Sequence, residues 1–186
     1  GRACALLAAA RGYQLLLADL SAPKLEALAA QCSEWASTVD YQVLDVTSAD
    51  TIRELVASVD GGGGIDALIH TVGISPQMAG WEKIIAVDLI GTTEFLEAIR
   101  PSLKTGGCVL AITSMSAYMC PSDDAIDTAL SEPLAPGLME QLKTMSSPLL
   151  AHSCLAYAFA KKALKNYVAN HAHRWGRQGK RILSLS

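Results

Sequence analysis

A chain of 186 residues that is 51% hydrophobic and 18% charged has the makings of one domain with a buried core, and it is too apolar to stay disordered. A formal charge of −3 creates no field that would draw nucleic acid. No apolar run reaches the ~18 residues that a membrane span needs, and no signal-peptide pattern stands at the start.

The elements follow in order. Gly1 to Arg11 reads as an Ala-rich helix ended by Gly12, then Tyr13 to Ala18 as a buried strand ending at Asp19. Ala22 to Ala30 is a helix with Pro23 in its first turn, and Val39 to Leu44 a strand ending at Asp45. Thr47-Ser48 offers an N-cap to the helix Ala49 to Val59. After the break Gly61 to Gly64 come a strand, Ile65 to His70, and a long amphipathic helix, Trp81 to Ile99, stopped by Pro101. Gly106-Gly107 turns into the strand Cys108 to Thr113, followed by Ser114. Met119 to Pro148 is less regular, with short helical pieces at Asp123–Ile126 and Gly137–Leu142. The helix Cys154 to Trp175 and the strand Arg181 to Leu185 close the sequence.

Strand and helix alternate, and the strands are continuously apolar. That is the pattern of an α/β fold with a doubly wound, mostly parallel, Rossmann-like sheet covered by helices on both faces. We expect residues 1–186 to form a single dinucleotide-binding domain. Ligands of such sheets bind at the carboxyl ends of strands, where Asp19, Asp45, His70 and Ser114 stand. Such a sheet usually begins with a strand and a Gly-rich turn, and this chain opens on the helix that follows them. The first strand and the C-terminal part of the fold are therefore expected to lie outside the sequence.

Five cysteines, Cys4, Cys32, Cys108, Cys120 and Cys154, have no metal or redox spacing and read as buried free thiols, so a cytoplasmic protein is expected. His171 and His173 are two apart and point to different sides of a helix, so no metal site is expected. Seven of the fifteen basic residues fall between Lys161 and Arg181 and read, Lys161 excepted, as the solvated face of one helix.

Tyr157 and Lys161 are four apart and so share a helix face. Beside an ammonium a phenol ionises more readily, and a phenol so tuned can exchange a proton with a ketone or alcohol oxygen. The pair alone is a common coincidence, and the rest of the chain carries the case.

Taken together, these residues resemble the short-chain dehydrogenase/reductase family. Gly1-Arg2-Ala3 resembles the last glycine of its Gly-rich turn and the start of the first helix. Asp19, with Leu20 beside it, matches the acidic residue that takes the adenosine ribose hydroxyls, which implies NAD rather than NADP. Asp45-Val46 resembles the pair that brackets the adenine, and His70-Thr71-Val72-Gly73 occupies the Asn-Asn-Ala-Gly slot. Asp88 to Thr92 occupies the Asn-x-x-Gly-Thr slot, and Ile112-Thr113-Ser114 resembles the segment that carries the catalytic serine. The resemblance implies that Ser114 holds the substrate oxygen, Tyr157 moves the proton, and Lys161 binds the nicotinamide ribose. Asp88 stands where the family places an asparagine that helps carry protons from the lysine to solvent. His70 and Thr71 replace amides.

Ser114 and Tyr157 are 43 apart, which implies an insertion of roughly thirty residues, about 120–148, near the active site. A lid or wall over an apolar substrate is the expected role, with a surface excursion as the alternative. Its placement resembles the subgroup of bacterial 3α-hydroxysteroid dehydrogenase/carbonyl reductase. The implied activity is hydride transfer between NAD(H) and a secondary alcohol or ketone, with a hydroxysteroid or other bulky apolar carbonyl compound as substrate. The alternatives are an enzyme of the same family for a small alcohol, and a silent NAD(H)-binding regulatory protein. The family's habit of pairing through long helices implies a homodimer or homotetramer, with neither nucleic acid nor membrane as partner.

Overall fold

The computed structural model describes residues 1–186, in which helices and strands alternate. Helix α1 (Arg2–Ala9) is followed by a turn in which Gly12 adopts φ 76°, a left-handed conformation that suits glycine. Strand β1 (Leu15–Asp19), helix α2 (Ala22–Cys32) and strand β2 (Val39–Val43) come next. Helix α3 (Ala49–Gly61) is capped by Ser48, whose hydroxyl accepts from the Thr51 N–H at 3.5 Å. Strand β3 spans Ile65–His70. These bounds lie within about two residues of the sequence reading, the usual uncertainty of an element's end.

The strands are parallel throughout, but they form two hydrogen-bonded sheets rather than one, β1–β2 and β3–β4–β5. No strand of the chain bridges β1 and β3. Leu16 of β1 and Ile65 and Leu68 of β3 pack on one apolar cluster that includes Leu44, Ile52, Leu55 and Phe95. Strand β4 (Leu103–Ile112) starts five residues before the expected Cys108. Ile65 pairs with Leu103, yet Ala67 pairs with Cys108, so β4 bulges through Gly106-Gly107 before it settles into register.

The long amphipathic helix is not uniform. It consists of α4 (Trp81–Ile85), a π segment (Ala86–Gly91) and α5 (Thr92–Ile99). The wide turn leaves carbonyls to be satisfied by side chains: the Thr92 hydroxyl donates to the Val87 carbonyl at 2.9 Å, and the Thr93 hydroxyl to those of Leu89 and Ile90. Gly91 lets this segment touch the loop that follows β2, since a Cβ there would lie 2.4 Å from the Val46 carbonyl oxygen.

The main core joins helix α10 (Ser153–Gly176) to strand β5 (Arg181–Leu185), β4 and the α4–α5 run through Phe159, Leu164, Trp175, Ile182, Val109 and Leu89. Between β4 and α10 lie α6 (Ser116–Met119), the insertion's two helices α7 (Asp124–Leu130) and α8 (Leu138–Met145), and α9 (Pro148–Ala151). Asp123 caps α7 by accepting from the N–H groups of Ala125 and Ile126. Ile126, Leu130, Leu138, Leu142 and Leu150 are buried in the main core, each worth about 1.5–3 kcal/mol. Asp127 also accepts from Lys162 at 2.7 Å. The insertion is thus integral to the fold, not an excursion over it.

Two sequence expectations are corrected. Of the five cysteines only Cys32 is buried, and Cys154, on the first turn of α10, is exposed. The basic run is also more engaged than a solvated face: Lys180 donates to the carbonyls of Arg100 and Pro101, and Arg174 pairs with Glu97. No helix is long and apolar enough to cross a membrane.

Candidate active site

One turn of α10 places Tyr157 and Lys161 on a common face, with the Lys161 ammonium 5.6 Å from the centre of the Tyr157 ring. Lys161 is 3% exposed, and so buried a charge needs partners. Its Nζ lies 3.3 Å from Oδ2 of Asp88, which comes from the π segment and is 0% exposed, and 3.4 Å from the Ile112 carbonyl at the end of β4. The other carboxylate oxygen of Asp88 accepts from the Ile74 N–H at 2.8 Å. Burial pushes the Asp88 carboxyl above the usual range, opposed by the Lys161 ammonium and the Ile74 N–H. A proton on Oδ2 would face only an ammonium, which accepts no hydrogen bond, so the geometry is that of a carboxylate–ammonium pair.

His70, the last residue of β3, is 2% exposed, and its Nε2 lies 3.1 Å from the Thr92 hydroxyl. That hydroxyl spends its proton on the Val87 carbonyl, so Nε2 is the donor. Burial, with the Lys161 charge adding to it, lowers His70 to about 4. The chain His70–Thr92–Val87 braces the π segment that carries Asp88. The sequence left the role of His70 open, because residue spacing does not reveal a widened helical turn.

Thr71, Val72, Gly73, Ile74, Ser75, Met78, Ile112, Thr113, Tyr157 and Lys161 line a cavity of about 300 Å³, the lower end of the size of small-molecule sites. A Cβ on Gly73 would lie 3.2 Å from Nζ of Lys161 and 3.3 Å from Oδ2 of Asp88, so glycine keeps the ammonium accessible. No residue of 120–148 lines this cavity. Pro133 to Glu140 border a separate hollow of about 290 Å³ with Ile90 and Glu94, which brings together no pair suited to proton transfer.

The other expected site residues are distributed as follows. Ser114 lies just past β4, beside but not in the cavity lining, and its Oγ accepts from both the N–H and the hydroxyl of Ser116. Its own hydroxyl proton remains free to donate. Asp19 and Leu20 are exposed at the carboxyl end of β1, and Asp19 accepts from the Ser21 N–H at 3.0 Å. Asp45, past β2, accepts from the hydroxyl and N–H of Thr47, which hold its carboxyl below the usual range. Val46 is buried. Gly1 lies at the start of α1, where an added Cβ would sit 3.0 Å from the Thr71 hydroxyl.

A family model described as enoyl-(acyl carrier protein) reductase matches residues 1–129. The chain belongs to the short-chain dehydrogenase/reductase family. It is 27% identical over 154 residues to 3-alpha-hydroxysteroid dehydrogenase/carbonyl reductase of Comamonas testosteroni, covering 77% of this chain and 57% of that enzyme. The chain thus spans little more than half the length of this curated relative. Among solved structures, NAD+-bound xylitol dehydrogenase matches 100% of this chain and 64% of its own, with TM-score 0.76 and 20% identity. An alcohol dehydrogenase from Thermococcus sibiricus complexed with 5-hydroxy-NADP matches 98% of this chain and 68% of its own, with TM-score 0.67 and 23% identity. Both likenesses establish the Rossmann-like fold.

Members of this family work with a nicotinamide cofactor. The residues present fit one. The Lys161 ammonium donates to the Ile112 carbonyl, stands 3.3 Å from the Asp88 carboxylate, and lines the cavity beside Gly73, where its remaining donor capacity would hold a ribose hydroxyl.

Proposed function

We propose that this family member is an NAD(H)-linked oxidoreductase of a secondary alcohol or ketone, with a hydroxysteroid or other bulky apolar carbonyl compound as substrate. The observation that carries the reading is the Tyr157 ring beside the Lys161 ammonium at the wall of a cavity of about 300 Å³. When bound, the cofactor supplies or accepts hydride at the carbinol carbon. The chain's own part is to orient and polarise. Tyr157 gives a proton to the substrate oxygen or takes it away. Ser114 donates its free hydroxyl proton to the same oxygen. Lys161 holds the nicotinamide ribose, with Thr71, Val72 and Gly73 backing it.

Asp19, Leu20, Asp45, Val46 and Gly1 serve the adenosine half. The exposed Asp19 carboxylate accepts from two ribose hydroxyls and repels a 2′-phosphate, which favours NAD over NADP. The Comamonas relative, a 3-alpha-hydroxysteroid dehydrogenase/carbonyl reductase, supports the substrate class. A cytoplasmic homodimer or homotetramer completes the reading.

The deciding variant is Tyr157→Phe in the full protein. Turnover should vanish while NADH binding stays within about twofold. Turnover at the parent rate would remove Tyr157 from the proton path and the reading with it.

A further inference from the structure

The family reading gives Lys161 one electrostatic duty, to press its positive charge on the Tyr157 phenol. In this chain that charge does not stand alone. The Asp88 carboxylate lies 3.3 Å from the ammonium, and the two side chains are 0% and 4% exposed, so little water screens one from the other. The carboxylate is fixed on both sides. The Ile74 N–H holds one oxygen at 2.8 Å, and the π segment that carries Asp88 is braced by Thr92 and His70. A Cβ at Gly73 would come within 3.3 Å of both charged groups, so glycine is what leaves the pair room to stand side by side.

We propose that Asp88 cancels the charge with which Lys161 would act on Tyr157, so that this site is set to give a proton to a carbonyl rather than to take one from an alcohol. The proposal rests on the family reading of Tyr157 and deepens it by naming the favoured direction. Asp88 is a positioning residue here; it acts through Lys161 and does not touch substrate.

The charged and titratable groups that face Lys161 are few. Asp88 comes from the π segment, His70 from the end of β3 and Tyr157 from α10 itself, while β4 offers only the Ile112 carbonyl. His70 is neutral, burial having lowered it to about 4. Lys162, on the next position of α10, turns to Asp127 of α7 and is neutralised there. Lys165 lies over the Tyr118 ring of α6, 4.6 Å from its centre. No other cation therefore replaces the field that Asp88 removes.

The favoured step balances as follows. The Tyr157 O–H bond breaks and its proton goes to the carbonyl oxygen, while the carbonyl carbon gains two electrons as hydride from a reduced nicotinamide. The phenolate left behind takes a proton from water. A phenol that keeps its proton through neutral pH serves this step. The reverse step needs phenolate as base, so it needs a more alkaline solution.

The test needs no cofactor. Phenolate absorbance of the full protein is followed through an alkaline titration, and the Tyr157→Phe trace is subtracted to isolate one phenol. Asp88→Asn keeps the shape and removes the charge. In that background the isolated midpoint should move about one pH unit towards acid, the low end of what an opposite charge at this range achieves. The double variant Asp88→Asn with Lys161→Met is also neutral at the pair, and its midpoint should return to that of the parent. This second variant keeps the test decisive if the single one unfolds.

In turnover, the alkaline rise of alcohol oxidation should move by the same amount in Asp88→Asn, an effect that loss of packing would not produce. An unmoved midpoint in Asp88→Asn, or a double variant that titrates far from the parent, overturns the proposal. Absence of nicotinamide binding would instead overturn the family reading, and the two failures are thereby told apart.

Discussion

Gly91→Ala tests whether the fold is built around the π segment. Gly91 has φ −61° and ψ −36°, ordinary helical values, so its conformation alone would welcome alanine. Intrinsic helix propensity favours the change by about 1 kcal/mol. Space forbids it: the new Cβ would stand 2.4 Å from the Val46 carbonyl oxygen, 2.9 Å from the Val46 carbonyl carbon and 3.0 Å from the Ala86 oxygen. Two backbones must therefore part by roughly 1 Å, and overpacking of this kind costs about 1–3 kcal/mol, more when no side chain can yield. Taking the upper end and subtracting the propensity gain leaves a net loss of about 2 kcal/mol. With a urea m-value of about 2 kcal/mol/M, the unfolding midpoint should fall by about 1 M. Gly61→Ala serves as control, since nothing lies within 4 Å of the Cβ it would add, at the end of α3. That change should be neutral or stabilising. A Gly91→Ala midpoint equal to or above the parent's would refute the close approach of the loop after β2 to the π segment.

Other perturbations read the site itself. His70 is lowered to about 4 in the fold and lies near 6.5 when unfolded, so the unfolded chain binds the extra proton between those values. Stability should thus fall as pH drops from about 6.5 towards 4, by up to about 3 kcal/mol, and His70→Gln should flatten that slope in thermal unfolding at stepped pH. A variant that keeps the parent's slope would place the acid sensitivity elsewhere. Asp19→Ala should raise NADPH affinity about fivefold, the ratio that ~1 kcal/mol of like-charge repulsion represents, as read by nicotinamide fluorescence. An unchanged preference would mean that another group discriminates. Tyr157→Phe should abolish turnover and spare cofactor binding, as set out above.

Much of this was legible in the residues. Helical periodicity and apolar runs located nearly every element, and the order of small motifs from Gly1 to Lys161 pointed to the family. Strand ends marked the right edge of the sheet, because a parallel sheet collects its loop residues there, but the cavity is lined by Thr71 to Gly73, Ile112 and Thr113 rather than by Asp19, Asp45, His70 or Ser114. What escaped was long-range or irregular. The π segment has the same apolar spacing as an α-helix, so the widened turn and the burial of the pair left no sign in the sequence, although the family's asparagine slot had already linked Asp88 to Lys161. The start of β4 hid behind Gly106-Gly107, since a bulge erases the strand signal. The spacing of Ser114 and Tyr157 revealed the insertion, but not that Ile126, Leu130 and Leu142 would complete the packing around α10, since short helical pieces do not disclose what they pack against. The cysteines failed for a related reason: burial depends on which face of α10 meets the core, and Cys154 lies on the other one.

The most direct measurement titrates the full protein with NADH and with NADPH by nicotinamide fluorescence, then adds a panel of ketones that includes a 3-ketosteroid and follows loss of the reduced cofactor's absorbance. The account predicts tighter binding of NADH than of NADPH and oxidation of NADH by at least one bulky ketone. Binding of NADH without oxidation across a broad panel would contradict the catalytic claim and leave a silent NAD(H)-binding protein, and binding of neither cofactor would contradict the nicotinamide site altogether.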